Sequence, residues 1–347
     1  MGAGHVHVAR ELARRIDASG EQAEIVDVLE LAGQAGDRLR RTYRLLLRRA
    51  PWLYDAAMRV WARYAQPFER LIAAGSHETE RALAAAVHDY AADVVVSTYN
   101  LASQALGRLV ARGEITAPVV TLVTDPGAHP YWVSRSVTLH IAPLPDTANR
   151  LRSMGARRVV VAPPVLRPGI ADVRPDRADV RERLAPAGRR LVLISAGSWA
   201  AGAVRSAVRA VEGVPGVHVL VLCGRDEDLY RSLSGRPGVT AIGWTDDVPA
   251  YLRAADVVVD NAGGLTCWEA IACRTPVVLF APLPGHGRLN ADALAETGLA
   301  AVAQDVPGLR WLVQNLDGPP PAPDFWAAEP VERHVLAVGK ELAGARA

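Results

Sequence analysis

Lysine is almost missing from this 347-residue chain: Lys340 is the only one, and every other Lys/Arg position is arginine. With alanine and valine so abundant, this reads as GC-rich coding bias rather than as a functional signal. Cysteine is nearly as scarce. Cys223, Cys267 and Cys273 cannot build a disulfide framework or a CxxC metal site, which points to a reducing cytosol. No stretch reaches the roughly 18 uninterrupted apolar residues of a membrane span, and the Gly-Ala-Gly-His opening is not a secretory leader. An excess of one charge is missing too: 39 basic against 37 acidic residues leave +2, so no global charge invites nucleic acid. What the chain has is 50% hydrophobic and 22% charged residues over a length of about two domains, enough for two sizeable cores.

Short β-branched runs alternate with helical patterns through most of the sequence. Strands are expected at 24–28, 93–97, 118–123, 138–142, 158–162, 191–195, 217–223, 239–242, 256–259 and 276–280. Helices such as 6–19, 78–91 and 265–272 fall between them, which predicts a doubly wound α/β architecture. The pattern is weakest between Pro163 and Arg190, where five prolines and many charges leave little apolar content. The expected division is a first domain over 1–165, a linker over 166–190 and a second domain over 191–347.

Residues 31–75 stand apart. Nine arginines (38, 40, 41, 44, 48, 49, 59, 63 and 70) face only Asp37, Asp55 and Glu69, a local net of +6. Trp52, Tyr54, Trp61, Tyr64 and Phe68 are interleaved with them. Arginine with Trp and Tyr on amphipathic helices suits an anionic bilayer interface. A helical hairpin with solvated arginines and buried aromatics is the structural alternative.

The candidate chemistry lies in four loops that follow strands, where open α/β sheets bind ligands. After strand 256–259 comes Asp260-Asn-Ala-Gly263-Gly264-Leu265-Thr266, a glycine bend opening a helix. Bare backbone amides and a helix N-terminus there suit a diphosphate. Glu269, about one turn into that helix, is placed to accept both hydroxyls of a ribose. Gly197-Ser198 follows strand 191–195, Trp244 to Val248 follows strand 239–242, and the loop after strand 276–280 carries His286 and Asn290, which can hydrogen-bond a polyol.

The run GWTDDV…AADVVVDNAGGLTCWEAIACRTPVVLFAPLPGHGRLNADALAETG resembles the nucleotide-sugar half of glycosyltransferase family 28. It is most similar to the monogalactosyldiacylglycerol synthase and processive diacylglycerol glucosyltransferase branch, and more distantly to MurG. Gly2-Ala3-Gly4-His5 resembles that branch's GxGH start, Thr124-Asp125 with His129 and Trp132 its TD…H..W segment, and Arg49 to Tyr54 its acceptor-side helices. The resemblance implies a GT-B fold, two Rossmann-like domains facing a cleft, with a UDP-sugar donor, inversion at the anomeric carbon and neither cofactor nor metal. By position it implies that Gly197, Ser198, Trp244 and Val248 surround the uracil and phosphates. Gly263, Gly264, Leu265 and Thr266 would hold the diphosphate and Glu269 the ribose, with His286 and Asn290 near the sugar. His5 would be the acceptor-side base and Asp125 its orienting or polarising partner. Histidine suits that task with little tuning of its pKa.

Two departures stand out. The family has a hydrophobic strand before GxGH, whereas here Met1 abuts Gly2, so the first domain is expected to lack its first strand, and the expected explanation is a start site upstream. His286-Gly287 stands where the family usually carries Gln-Glu beside the sugar, so galactose does not follow. The expectation is a cytoplasmic enzyme, peripheral at the inner face of the membrane, that moves a hexosyl unit from a UDP-sugar to a diacylglycerol-type lipid hydroxyl. Segment 31–75 is expected to dock on anionic lipid. The rival readings are MurG-like transfer, glycosylation of a natural product, and a catalytically silent nucleotide-sugar-binding relative.

Overall fold

A computed structural model describes residues 4–50, 52–54, 56, 60, 76–170, 177–184, 186, 188–321 and 324–346. Gly4–Leu45, Leu53–Val165 and Pro323–Ala347 cluster as one compact unit, and Leu166–Ala322 with the short stretch Leu46–Trp52 as the other.

The first unit runs α1 (Gly4–Ala18), α2 (Val28–Leu31), α3 (Gly33–Arg49), α4 (His77–Asp89), β1 (Val95–Ser97), α5 (Asn100–Ala111), β2 (Val119–Leu122), β3 (Leu139–Ala142), α6 (Pro145–Ser153) and β4 (Val159–Val161). Its four strands pair in parallel in the order β1-β2-β3-β4. β2 and β3 are buried at every position, Thr121 and His140 included, as the inner strands of a parallel sheet should be. The strand expected at 24–28 does not form. Residues 21–27 carry no regular structure, and Ile25 and Val26 are each 45% exposed. A strand is held by its ladder, and among the described residues no strand lies beyond β1 for this segment to join.

The second unit runs α7 (Arg177–Leu184), β5 (Arg190–Ser195), α8 (Val204–Val211), β6 (Val217–Leu222), α9 (Glu227–Leu233), β7 (Val239–Ile242), α10 (Val248–Ala254), β8 (Val257–Asp260), α11 (Leu265–Ala272), β9 (Val277–Phe280), α12 (His286–Glu296), β10 (Ala301–Ala303) and α13 (Val306–Asn315). Its six parallel strands are ordered β7-β6-β5-β8-β9-β10, the 3-2-1-4-5-6 winding of dinucleotide-binding sheets. The winding reverses between β5 and β8, so the ends of those two strands are the expected ligand crevice. Val192, Ile194, Val219, Val221, Val257, Val259 and Val278 form the sheet's side of one core, with Val204 and Val208 of α8 and Leu309 and Val313 of α13 packed on it.

The chain then returns to the first unit. The last helix, α14 (Val331–Arg346), contacts α1 and buries Val331, Val335 and Val338. Sequence patterning ran the second domain on to residue 347, because nothing local to an amphipathic terminal helix says which core its apolar face will cover. The expected linker also holds structure: α7 lies within it, and Ile170 and Val180 are buried. Among the described residues no helix is long and apolar enough to cross a membrane.

Candidate donor and acceptor sites

At the switch point of the second sheet, β8 ends on Asp260, whose side chain turns back on the chain. Its Oδ1 accepts from the amides of Ala262 at 2.7 Å and Gly263 at 2.8 Å. Burial pushes this carboxyl up, while those two amides and the side chains of Cys267 and Ser195 pull against it. Gly263 sits at φ +66, and a Cβ on it would lie 2.7 Å from the Cβ of Asn290, so only glycine passes here. The N–H of Gly263 is therefore engaged by Asp260. Gly264, Leu265 and Thr266, all half-buried, follow at the start of α11, where amides have no carbonyl within the helix to bond. The diphosphate-binding role expected of Gly263 through Thr266 thus narrows to the last three.

Asn290 was expected beside the sugar. It is 1% exposed, and its side-chain amide donates to the Ala262 carbonyl at 3.1 Å, bracing the bend from α12. Asn261 ties the same bend to the loop after β5, donating to the Ala201 carbonyl at 2.8 Å. His286 opens α12, half-buried, behind Gly285 at φ +69. Gly287 beside it is buried, and a Cβ there would lie 2.8 Å from the Cβ of Leu283.

Glu269 is fully buried rather than turned toward solvent. Its Oε1 receives the Arg167 Nε at 2.7 Å, while Oε2 is buried without a hydrogen-bond partner. Burial pushes the carboxyl up and the Arg167 guanidinium opposes it. Arg167 was not among the residues singled out from sequence. A single arginine in a proline-rich stretch carries no periodic or motif signal, and only folding brings it across 102 positions to α11.

Three further loops gather at the C-terminal ends of β5, β6 and β7. Gly197 has φ +58, and Ser198 accepts from the Arg225 amide at 3.0 Å through its carbonyl. A Cβ on Gly224 would lie 2.2 Å from the Gly197 carbonyl oxygen, so the first two loops touch backbone to backbone. Trp244, after β7, is 43% exposed and carries the Arg225 guanidinium 4.2 Å above its ring. Val248 is buried in the first turn of α10, so its side chain serves packing rather than a ligand.

In the first unit, His5 stands in the opening turn of α1. Its Nδ1 lies 2.8 Å from the Thr98 carbonyl oxygen and 3.2 Å from the Thr124 hydroxyl. A carbonyl only accepts, so Nδ1 carries the proton and the lone pair of the neutral ring is on Nε2. The ring is bordered by Tyr99 at 5.2 Å and Trp132 at 6.2 Å between centroids. The tautomer is thus fixed by a backbone carbonyl, the task sequence reading gave to Asp125. Asp125 accepts from the Trp132 indole N–H at 3.1 Å and so holds the wall beside His5. Tyr43 and Tyr54 meet edge to face at 5.6 Å. Burial pushes the Tyr54 phenol up to about 12, and the Asp125 charge pushes the same way. Tyr43, Thr98 and Tyr99 were not anticipated, because no spacing in the chain links them to His5.

Segment 31–75 is described only in part. On α3, Arg38, Arg41 and Arg44 are exposed together with Leu39 and Leu45, and Trp52 beyond it is 69% exposed. Arg40 pairs with Asp27 at 2.8 Å. Trp61, Arg63, Tyr64, Phe68 and Arg70 lie outside the described residues, as does Arg59.

Two successive parallel sheets, the second wound 3-2-1-4-5-6 with a glycine bend at its switch point, give this chain the two Rossmann-like halves of the GT-B fold. Residues 5–163 match the family described as Monogalactosyldiacylglycerol (MGDG) synthase, the branch that the GAGH and TD…H..W segments resemble. Residues 188–316 match Glycosyl transferases group 1. Among curated relatives, the processive diacylglycerol beta-glucosyltransferase of Bacillus mycoides (strain KBAB4) is 25% identical over 335 residues, 88% of this chain and 80% of that protein. Its counterpart in Bacillus cereus (strain G9842) is 24% identical over the same shares of both chains. Among solved structures, the spinosyn rhamnosyltransferase SpnG in complex with spinosyn aglycone superposes with a TM-score of 0.61 at 16% identity, over 99% of this chain and 94% of that one. SnogD from Streptomyces nogalater gives 0.51 at 19% identity, over 82% and 80%.

Proposed function

We propose that this glycosyltransferase moves a hexosyl unit from a UDP-sugar to the hydroxyl of a diacylglycerol-type lipid, with inversion at the anomeric carbon. The observation that carries the donor side is the bend at the switch point. Asp260 and Asn290 lock its shape, the amides of Gly264 to Thr266 open toward a diphosphate, and Glu269 holds an unfilled acceptor oxygen one turn on. The likeness to diacylglycerol glucosyltransferases over 88% of the chain supports the lipid acceptor.

The chemistry follows from the residues. His5 Nε2 takes the proton as the acceptor oxygen attacks the anomeric carbon, and Nδ1–H on the Thr98 carbonyl keeps the ring in the right tautomer. The bond from that carbon to the diphosphate oxygen breaks, and the departing charge meets the α11 amides and dipole, a stabilisation that calls for no cofactor and, on this reading, no metal. His286, at the mouth of α12, faces the sugar. The exposed arginines of α3, interspersed with Leu39, Leu45 and Trp52, dock the protein on an anionic membrane surface, each basic residue near the surface contributing about 1 kcal/mol.

The test is a panel of UDP-sugars incubated with the protein and a lipid extract, with products identified by mass spectrometry and binding to anionic vesicles followed by sedimentation. A hexosylated glycerolipid is expected, with the protein in the vesicle pellet. Transfer only to water-soluble acceptors would overturn the lipid assignment, and UDP binding without transfer to any acceptor would favour a silent relative.

A further inference from the structure

The loops after β6 and β7 present a feature that the glycine bend and Glu269 do not account for. Trp244 is the large aromatic side chain left most open at this end of the sheet, and the guanidinium carbon of Arg225, itself exposed, lies over its ring, 4.2 Å from the centroid. The backbone beneath them is not free to drift. The Arg225 amide donates to the Ser198 carbonyl at 3.0 Å, and Gly224 approaches the Gly197 carbonyl so closely that no side chain fits between. The three loops after β5, β6 and β7 are therefore knit together, and the stacked pair is carried on a fixed base.

Their place in the sheet says what they can reach. β6 lies two strands from β8, about 10 Å at ordinary strand spacing. That is roughly the distance from the diphosphate to the base in an extended nucleoside diphosphate whose phosphates rest on the bend after β8. The Gly197-Ser198 loop after β5 lies between, where the ribose would pass. A guanidinium held over an indole carries its N–H donors in a planar fork, which suits the carbonyl oxygens on the edge of a pyrimidine. A lysine would offer a point charge without that planar fork.

We propose that Arg225, held on the Trp244 ring, is the nucleobase-selecting residue of the donor site, reading the carbonyl edge of a uracil-type pyrimidine. The proposal rests on the donor-site reading above. Calorimetry on the full chain with UDP, CDP, ADP and GDP tests it, using wild type, Arg225→Ala, Arg225→Lys and Trp244→Ala. Wild type should prefer UDP to the other three by about tenfold or more. Arg225→Ala should lose that preference, weakening UDP about tenfold while leaving ADP and GDP within about twofold, and Arg225→Lys should not restore it. Trp244→Ala should lower the preference in the same direction. An equal loss for all four nucleotides in Arg225→Ala would reduce the residue to general charge attraction and overturn the proposal, as would unchanged preference. Wild-type protein that binds none of the four overturns the donor-site reading itself, and this proposal with it.

Discussion

Replacing Glu269 by glutamine keeps the volume of a fully buried side chain while removing its charge. In the free protein Oε1 is already satisfied by Arg167 at 2.7 Å, and only Oε2 waits for a donor. A bound ribose therefore completes one charge-assisted hydrogen bond, about 1.5–3 kcal/mol, rather than two. At about 1.36 kcal/mol per tenfold, Glu269→Gln should weaken UDP about 10- to 150-fold. Alanine is the worse probe. Both substitutions break the ion pair with the mostly buried Arg167, at a cost of up to about 3–5 kcal/mol, but alanine also removes the oxygen that accepts from Arg167 and leaves a cavity, which confuses affinity with stability further. Titration calorimetry with UDP, beside a urea melt of each protein, separates the two. Burial also raises the Glu269 carboxyl above its ordinary value against the pull of Arg167. Its contribution to stability is then complete below the unfolded value and declines as pH rises through the folded one, a decline that Glu269→Gln should remove. Unchanged UDP affinity in a folded Glu269→Gln protein would refute the ribose assignment.

Three further outcomes follow from the geometry. His5→Ala should lower kcat about 10²- to 10⁴-fold with UDP affinity unchanged, measured by steady-state transfer and calorimetry, and near-normal turnover would exclude it as the base. Asp260→Ala frees the amides of Ala262 and Gly263 at about 1–3 kcal/mol each and should weaken UDP by tenfold or more, whereas Asp260→Asn keeps the accepting oxygen and should bind nearly as wild type. If both variants bind alike, the cap is not what shapes the bend. Burial works against the charge of Glu80, yet hydrogen bonds from Ser76, Arg112 and Arg108 hold its carboxyl below the ordinary range. That stability is present above the unfolded value and lost as pH falls through the folded one, so Glu80→Gln should flatten the pH dependence of urea unfolding on the acid side of the ordinary carboxylate value.

Every strand but β10 was legible, because a buried parallel strand is a short run rich in β-branched and aliphatic residues, as in β2 (Val-Val-Thr-Leu) and the three valines of β8. The glycine bend was legible for a similar reason: Gly263 at positive φ is a local requirement written in one residue. Residues 24–28 have the same composition and formed no strand, since a ladder needs a neighbour that composition cannot supply.

The sequence by itself determined the alternation of strand and helix and the place of the bend, and it singled out Glu269 and His5 as candidates. Tertiary structure alone decided which atoms of those groups are available. Arg167 reaches Glu269 across 102 residues, the Thr98 carbonyl fixes the His5 tautomer across 93, and Asn290 closes over Gly263 instead of facing a sugar. Hydrogen bonds of such long span are set by how the sheets and helices pack, and no local spacing encodes them.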